Sequence, residues 1–549
     1  MLTLHQVSKS YNLNRVLNQI SFTVNRQDRV GLIGPNGCGK TTLLRLIVGE
    51  ESPDDGQIVT SPANLVIGYL PQGFEPDPAA SLETLLARAG GDQVEWERQL
   101  AEVATQMAVA PDDLALQARY DHLLHRLSQA DTGRGAAILT ALGLDDLPRD
   151  LPAGHLSGGQ KTRLSLALIL LQEPDILILD EPTNHLDISM IEWLESWLAG
   201  FPGGVLVVSH DRTFLNRIAT QIVAIDPDSR TAQVYPGNYA DYLESYLQAR
   251  AKQEAQYREQ EYEIRRLRQD IARTFEQARS VERSTTPRQP NVRRLSKKVA
   301  NKAKSRQKKL DRYIESDERV EKPKESWQMK LEFTEMAHLG RDVLRLENLT
   351  VGYAADAPLV SDVSAVLQSG QRIVLTGPNG CGKTTLLRTI AGQIAPLSGQ
   401  MQFGHTVKLG YMAQEQELLD PESNAVNTIA RYAQEPMTET DIRSFLHYFL
   451  FKDDTPTRPN AELSFGERSR LALASLVIQG CNLLLLDEPI NHLDIPSRSR
   501  FEQALTQFDG TILAVVHDRY FIDGFATHLW EIEDGRLQTT IRHLAATSA

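Results

Sequence analysis

No run of this 549-residue sequence reaches the roughly 20 consecutive apolar residues that carry a helix across a bilayer. The longest apolar stretches, such as Leu164–Leu171, are the size of core segments. The opening residues, MLTLHQVSKSY, have neither a basic cluster nor a long apolar segment, so no secretory leader is expected. Cysteine is scarce as well. Three residues cannot build a disulfide framework, and Cys38 and Cys381 lie inside glycine-rich loops, so free thiols in a reducing cytoplasm are expected. What remains, 41% apolar and 23% charged, is ordinary globular composition, and the length calls for two or three domains.

Positive charge is concentrated in one segment of an otherwise acidic chain. The chain carries −13, yet Arg279 to Arg312 holds thirteen Lys and Arg against Glu282 and Asp311, a net of +11, which leaves −24 for the rest. Such asymmetry points to an anionic partner for that segment alone.

The sequence also repeats itself. VGLIGPNGCGKTTLLRLIVG (30–49) recurs as IVLTGPNGCGKTTLLRTIAG (373–392), offset by 343 residues. GYLPQ (68–72) returns as GYMAQ (410–414), offset by 342. LSGGQ (156–160) returns as LSFGE (463–467), LILDEPTNHLD (177–187) as LLLDEPINHLD (484–494), and VVSHDR (207–212) as AVVHDR (514–519), each offset by 307. A period this long means duplicated domains, with about 35 extra residues between Gln72 and Ser157 in the first copy. RVGLIG, DILILD, GVLVVSH and their counterparts read as buried strands of a parallel sheet, and KTTLLRLI opens a helix. Within the extra segment, 93–130 shows apolar spacings of three and four around Pro111, which predicts a helical hairpin. Residues 242–319 are charged and helix-forming, broken at TTPRQP (285–290), which predicts two long antiparallel helices linking the copies.

Gly34-Pro35-Asn36-Gly37-Cys38-Gly39-Lys40-Thr41-Thr42 and Gly377-Pro378-Asn379-Gly380-Cys381-Gly382-Lys383-Thr384-Thr385 fit the loop that cradles phosphates. Glycines let backbone amides converge on phosphate oxygens, and the following helix presents its positive end. Lys40 and Lys383 are placed to reach β- and γ-phosphates, and the Thr41 and Thr384 hydroxyls to hold Mg²⁺. Asp180 and Asp487 end apolar strands, where a carboxylate can hold the same ion. Glu181 and Glu488, next in sequence, can polarise an attacking water. His210 and His517 follow later strands and can stabilise charge on the γ-phosphate.

These residues resemble the ATP-binding cassette superfamily over roughly 1–240 and 340–535. The resemblance implies an α/β fold of two P-loop NTPase cassettes in tandem, joined by a long helical-hairpin linker. It implies domains at 1–240, 241–330 with its tip near 284–291, and 331–540. It also implies that the serine-glycine segment of one cassette completes the ATP site of the other: Ser157, Gly158, Gly159 and Gln160 facing Lys383, and Ser464, Gly466 and Glu467 facing Lys40. Gln72 and Gln414 match the glutamine that meets Mg²⁺ and water. Tyr11 and Tyr353 match the aromatic that stacks on adenine, and a core tyrosine is the competing reading. The second copy departs at Phe465, Glu467 and Ile490, so the two sites are expected to turn over at different rates.

The twin cassettes, the NHLD repeats (184–187 and 491–494), the YPGNYADYLESY segment (235–246) and the charged linker resemble subfamily F. That resemblance implies ATP hydrolysis with Mg²⁺ in a cytoplasmic monomer that binds the ribosome, its RNA and the P-site tRNA. The function is then in translation or in protection against ribosome-targeting antibiotics. Independently, Arg288, Arg293, Arg294, Lys297, Lys298, Lys302, Lys304, Arg306, Lys308 and Lys309 form a cationic rod suited to phosphate backbones, with no aromatic surface for reading bases. The energy subunit of a membrane transporter and a DNA-associated repair ATPase are the alternatives.

Overall fold

The structure is a computed structural model. It describes residues 1–542 except 13, 63–64, 74–75, 91–92, 110–115, 118, 121–123, 125–133, 157, 173, 185, 285–289, 315–339, 355, 414–418, 452–453 and 492. Two compact units emerge: Met1–Tyr239 together with Gln328–Ala549, and Ala240–Trp327.

The first unit holds both cassettes. In the first, β1 (Leu2–Tyr11), β2 (Asn14–Val24) and β4 (Asp55–Thr60) form an antiparallel sheet in the order β2-β1-β4. A second sheet is built from β3 (Arg29–Ile33), β5 (Ile67–Leu70), β6 (Ile176–Asp180), β7 (Gly204–Val208), β8 (Gln221–Ile225) and β9 (Ala232–Pro236), ordered β5-β6-β7-β3-β8-β9. All its pairings are parallel except β8 with β9. The second cassette repeats both sheets. β10 (Asp342–Ala354), β11 (Ala357–Gln368) and β13 (Ser398–Phe403) make the small one, in the order β11-β10-β13. β12 (Arg372–Thr376), β14 (Leu409–Met412), β15 (Leu483–Asp487), β16 (Thr511–Val515), β17 (His528–Glu533) and β18 (Arg536–Ile541) make the large one, in the order β14-β15-β16-β12-β17-β18.

The expected buried strands are there for a physical reason. β3, β6, β7, β15 and β16 are buried at every position. A parallel strand covered on both faces needs such an unbroken apolar run. Because these strands run parallel, their carboxyl ends open on one edge, and there each phosphate loop, each Asp-Glu pair and each histidine follows its strand directly. In the insertion, a helix spans Gln93–Val109. The turn predicted around Pro111 lies outside the described residues.

The second unit is helical. One helix runs Tyr239–Ser284, 46 residues or about 70 Å, and another Pro290–Ile314. They pair antiparallel: Ile264 and Ile271 pack with Leu310, Phe275 and Tyr313, and the Gln260 amide donates to the Tyr313 hydroxyl at 2.8 Å. Their polar composition leaves this thin apolar seam as the contact between them. Ile271→Ala should therefore cost about 2–3 kcal/mol locally. Amide hydrogen exchange should rise in both helices together; faster exchange in one helix alone would contradict the pairing.

Candidate functional site

Each phosphate loop is shaped by glycine where other residues cannot stand. Gly39 and Gly382 cap the following helices with φ of 100° and 103°. A Cβ at Gly39 would meet Val16 and Leu17 at 2.8 Å, and one at Gly382 would meet Val360 at 2.9 Å. These loops must therefore stay bare to turn their amides inward. Lys40 Nζ donates to the Gly34 and Pro35 carbonyls at 2.8 and 3.1 Å, and Lys383 Nζ to those of Gly377 and Pro378 at 2.9 and 2.8 Å. The ammonium groups thus sit in the loop mouths.

The helix threonines face the strand carboxylates. Thr41 Oγ1 donates to Asp180 at 2.9 Å and Thr384 Oγ1 to Asp487 at 3.2 Å. The other Asp487 oxygen is buried with no hydrogen-bond partner. A hydroxyl, a carboxylate and a spare buried oxygen at one point fit a hard divalent cation such as Mg²⁺.

Glu181 and Glu488 adopt left-handed backbone, φ 54° and 49°. For a residue with a side chain such a conformation costs on the order of 1 kcal/mol or more. It recurs in both copies, so the surrounding fold holds it there. Burial pushes the Glu181 carboxyl up to about 7 against the nearby Arg498 and Lys40 cations. Burial likewise pushes Glu488 to about 7, with Asp487 adding to it. A carboxyl poised there can take a proton from water at neutral pH. His210 Nε2 lies 3.3 Å from Glu181, and His517 Nε2 3.7 Å from Glu488. Burial, then Lys383, lowers the His517 pKa to about 4, which keeps its ring neutral.

The cassettes complete each other's loops. Asp494 Oδ2 accepts the Asn36 amide at 3.0 Å, and Asp187 Oδ2 accepts the Asn379 amide at 3.3 Å. A cavity of about 620 Å³ is bordered by Lys40, Thr41, Thr42, Gln72, Asp180, Glu181 and His210 from the first cassette and Phe465 from the second. Of the second cassette's serine-glycine segment, Phe465 borders this cavity. Ser464 and Glu467 instead form a capping box: Ser464 Oγ accepts the Glu467 amide, while Glu467 Oε2 accepts from the Ser464 amide and hydroxyl at 2.8 Å. Gly466 lies in the helix that this box opens. Gly158, Gly159 and Gln160 start the corresponding helix of the first cassette, whereas Ser157 and Gln414 lie outside the described residues.

Tyr11 and Tyr353 are 41% and 72% exposed, which rules out the core reading. Tyr353 accepts from Thr385 at 3.5 Å, while the Tyr11 hydroxyl donates to Glu51. Ile490, the departure from Thr183, is matched by a second change. Thr183 and Ser209 share a hydroxyl hydrogen bond of 3.1 Å, and the positions 307 residues on are Ile490 and Val516, both buried in the apolar core.

Reasoning from sequence missed the residues that join the cassettes. Arg212 donates to Glu502 at 3.1 Å and to Ser499 at 3.0 Å, and Arg519 to Glu195 at 3.2 Å. Arg212 also lies over the Tyr520 ring at 4.6 Å. The signal was present: the repeat offset of 307 relates Arg212 to Arg519 and Glu195 to Glu502.

The sequence model of the family described as ABC transporter matches residues 17–184 and 360–491, and a second model so described matches 225–333. The chain is 35% identical to ABC transporter F family member 5 of Arabidopsis thaliana, over 97% of its own length and 75% of the relative's. It belongs to the ABC transporter F family. This ABC-F chain binds and hydrolyses ATP. It is also 34% identical to the energy-dependent translational throttle protein EttA of Mycobacterium tuberculosis, over 97% and 91% of the two chains. Among solved structures, the complex of archaeal ribosomal stalk protein aP1 with ribosome recycling factor aABCE1 matches at a TM-score of 0.61 and 19% identity, over 97% and 89%. That likeness is one of fold. Among the described residues, no helix is long and apolar enough to cross a membrane.

Burial favours the protonated forms of Glu181 and Glu488, so the folded chain keeps protons that the unfolded chain releases below pH 7. Stability from this source is present at low pH and is lost as pH rises through about 7. The Glu181→Gln/Glu488→Gln protein without nucleotide should therefore gain more Tm over the parent at pH 8 than at pH 5, measured calorimetrically. An equal gain at both values would contradict the buried-carboxyl assignment.

Proposed function

We propose that this chain is an ATP-driven translation factor that binds the ribosome, with its basic helical segment against RNA. The observation that carries the reading is the helix Pro290–Ile314. Lys297, Lys298, Lys302, Lys304, Arg306, Lys308 and Lys309 along it are all exposed, and its net charge is opposite to that of the remaining chain. Arg293 and Arg294 belong to the same helix, and Arg288 lies outside the described residues. A dense row of exposed cations with no stacking aromatics fits a phosphate backbone held without base readout. The name of the Mycobacterium tuberculosis relative, an energy-dependent translational throttle, supports the class of process.

In this reading the domains are 1–240, 241–330 and 331–540, and the chain works as a cytoplasmic monomer whose cassettes pair with each other. Two ATP molecules are held between them. Lys40 and Lys383 neutralise the β- and γ-phosphates, and the loop amides hold the oxygens. Tyr11 and Tyr353, exposed beside the loop helices, stack on adenine. Ser157 to Gln160 and Ser464 to Glu467 meet the γ-phosphate from the opposite cassette. Thr41, Gln72 and Asp180 would hold one Mg²⁺ and Thr384, Gln414 and Asp487 the other, and the ion when bound would neutralise phosphate charge. Glu181 and Glu488 take the proton of the attacking water, and His210 and His517 contact the γ-phosphate as its charge develops. Hydrolysis removes the group that both cassettes share, and they part.

Contact with P-site tRNA and protection against ribosome-targeting antibiotics are the finer forms of the same reading. The basic helix would grip duplex DNA by the same electrostatics, and a membrane-transport partner is the remaining alternative.

Glu181→Gln/Glu488→Gln should lower kcat by about a hundredfold or more and hold an ATP-bound closed state. Unchanged turnover removes the glutamates from the mechanism. With ATP, the same protein should sediment with 70S ribosomes; retention on duplex DNA or membranes in place of ribosomes overturns the translation reading. Replacing Lys302, Lys304, Lys308 and Lys309 by Ala should weaken that binding and reduce its log–log salt slope by about 3. An unaltered slope removes the helix from the RNA contact.

A further inference from the structure

Two polar contacts of the cassette interface are repeated in a two-fold pattern. Asp494 with Asn36 mirrors Asp187 with Asn379, and Arg212 with Glu502 mirrors Arg519 with Glu195. Other contacts have no mirror, and the one made by Arg498 reaches a catalytic-site residue. Arg498 stands 307 residues after Ile191, and both positions lie near the start of the helix that follows the NHLD turn. Ile191 is a buried apolar side chain, whereas Arg498 is a buried cation.

The hydrogen bonds of Arg498 show where it acts. Its Nε donates to the Leu493 carbonyl at 3.0 Å within its own helix start. Its Nη1 donates to Asp518 Oδ2 at 3.0 Å in its own cassette, and to the His210 carbonyl at 3.0 Å in the other. Asp518 is itself fixed, since its carboxylate caps the helix Arg519–Phe525 by accepting the Phe521 amide at 2.9 Å. At the far end, His210 meets Glu181 twice. Its amide donates to Glu181 Oε2 at 3.3 Å, and its Nε2 lies 3.3 Å from Oε1. An anchored guanidinium of the second cassette therefore grips the backbone of the residue that frames the first-site carboxylate. Ile191 has no donor with which to hold the His517 carbonyl, so the Lys383 site lacks this grip.

We propose that Arg498 is a positioning residue for hydrolysis at the Lys40 site: it holds His210, and through it Glu181, in working geometry only while the cassettes are closed. The grip spans the interface, so parting of the cassettes releases it. ATP in the first site is thus cleaved by a carboxylate that the second cassette sets in place.

This inference rests on the glutamates acting as bases, and the test separates the two ideas. Glu488→Gln leaves the Lys40 site to turn over alone, and Glu181→Gln leaves the Lys383 site. A drop in total turnover in each single variant checks the glutamates themselves. Arg498→Ile, which copies Ile191, is then placed in each background. We expect kcat to fall about tenfold in the Glu488→Gln protein, with KM for ATP within about twofold, and less than about threefold in the Glu181→Gln protein. Arg498→Lys, which keeps the charge beside Asp518 but lacks the fork, should recover part of the loss. Equal losses in both backgrounds, no loss in the Glu488→Gln protein, or a loss carried by KM would each overturn the proposal. If Arg498→Ile lowers Tm enough to confuse the readout, the Arg498→Lys protein alone decides it by the same comparison.

Discussion

Two aspartates reach across the cassette interface to hold backbone amides of the opposing phosphate loops, Asp494 on Asn36 and Asp187 on Asn379. Each aspartate also caps the helix that follows it, accepting the Ser497 amide at 2.9 Å and the Met190 amide at 3.0 Å. A loop built to present free amides to phosphate is thus held in part by the other half of the molecule. Asp187 is half-buried, which would raise its pKa, and its bonds to Ser189, Met190 and Asn379 nonetheless keep its carboxylate below the usual range. This reciprocal hold is one of the ties that join the two sites: neither loop is finished by its own cassette.

Around that hold, the chain shows how two copies of one domain diverge without losing the fold. The serine-glycine turn of the second cassette has exchanged glycine and glutamine for Phe465 and Glu467, and the structure gives each a task. Glu467 closes a capping box on Ser464, which satisfies amides that a helix start otherwise leaves open. Phe465 brings an apolar wall to the cavity above Lys40. Arg498 in place of Ile191 adds the one buried cation that the opposite copy does without.

Much of this was legible in the residues. Continuous apolar runs ending in Gly34, Asp180 and Ser209 could only be central parallel strands, and the site then had to gather where those strands end. The linker helices were legible from their charged, helix-forming composition and the break at 285–290, but not their seam: Ile264, Ile271 and Leu310 lie in it, Tyr313 joins them, and Leu247 and Leu267 are exposed. The ties between cassettes were not legible. Arg519 meets Glu195 across 324 residues, and no local periodicity marks such a pair. Nor does composition reveal that Glu467 turns onto its own helix cap. Tyr11 and Tyr353 could not be told from core tyrosines until their exposure was known, because an aromatic at a strand end satisfies either role.

The hydroxyl pair of Thr183 and Ser209 carries a consequence for how such copies drift apart. Ser209 is fully buried and also accepts the Asp211 amide at 3.0 Å, so losing Thr183 alone removes the side chain that shares its hydroxyl hydrogen bond. That costs about 1–3 kcal/mol. The Ile490–Val516 pair avoids that cost by replacing both hydroxyls with apolar groups, so the two positions are coupled: placing Ser at Val516 alone would bury a hydroxyl without its Thr partner.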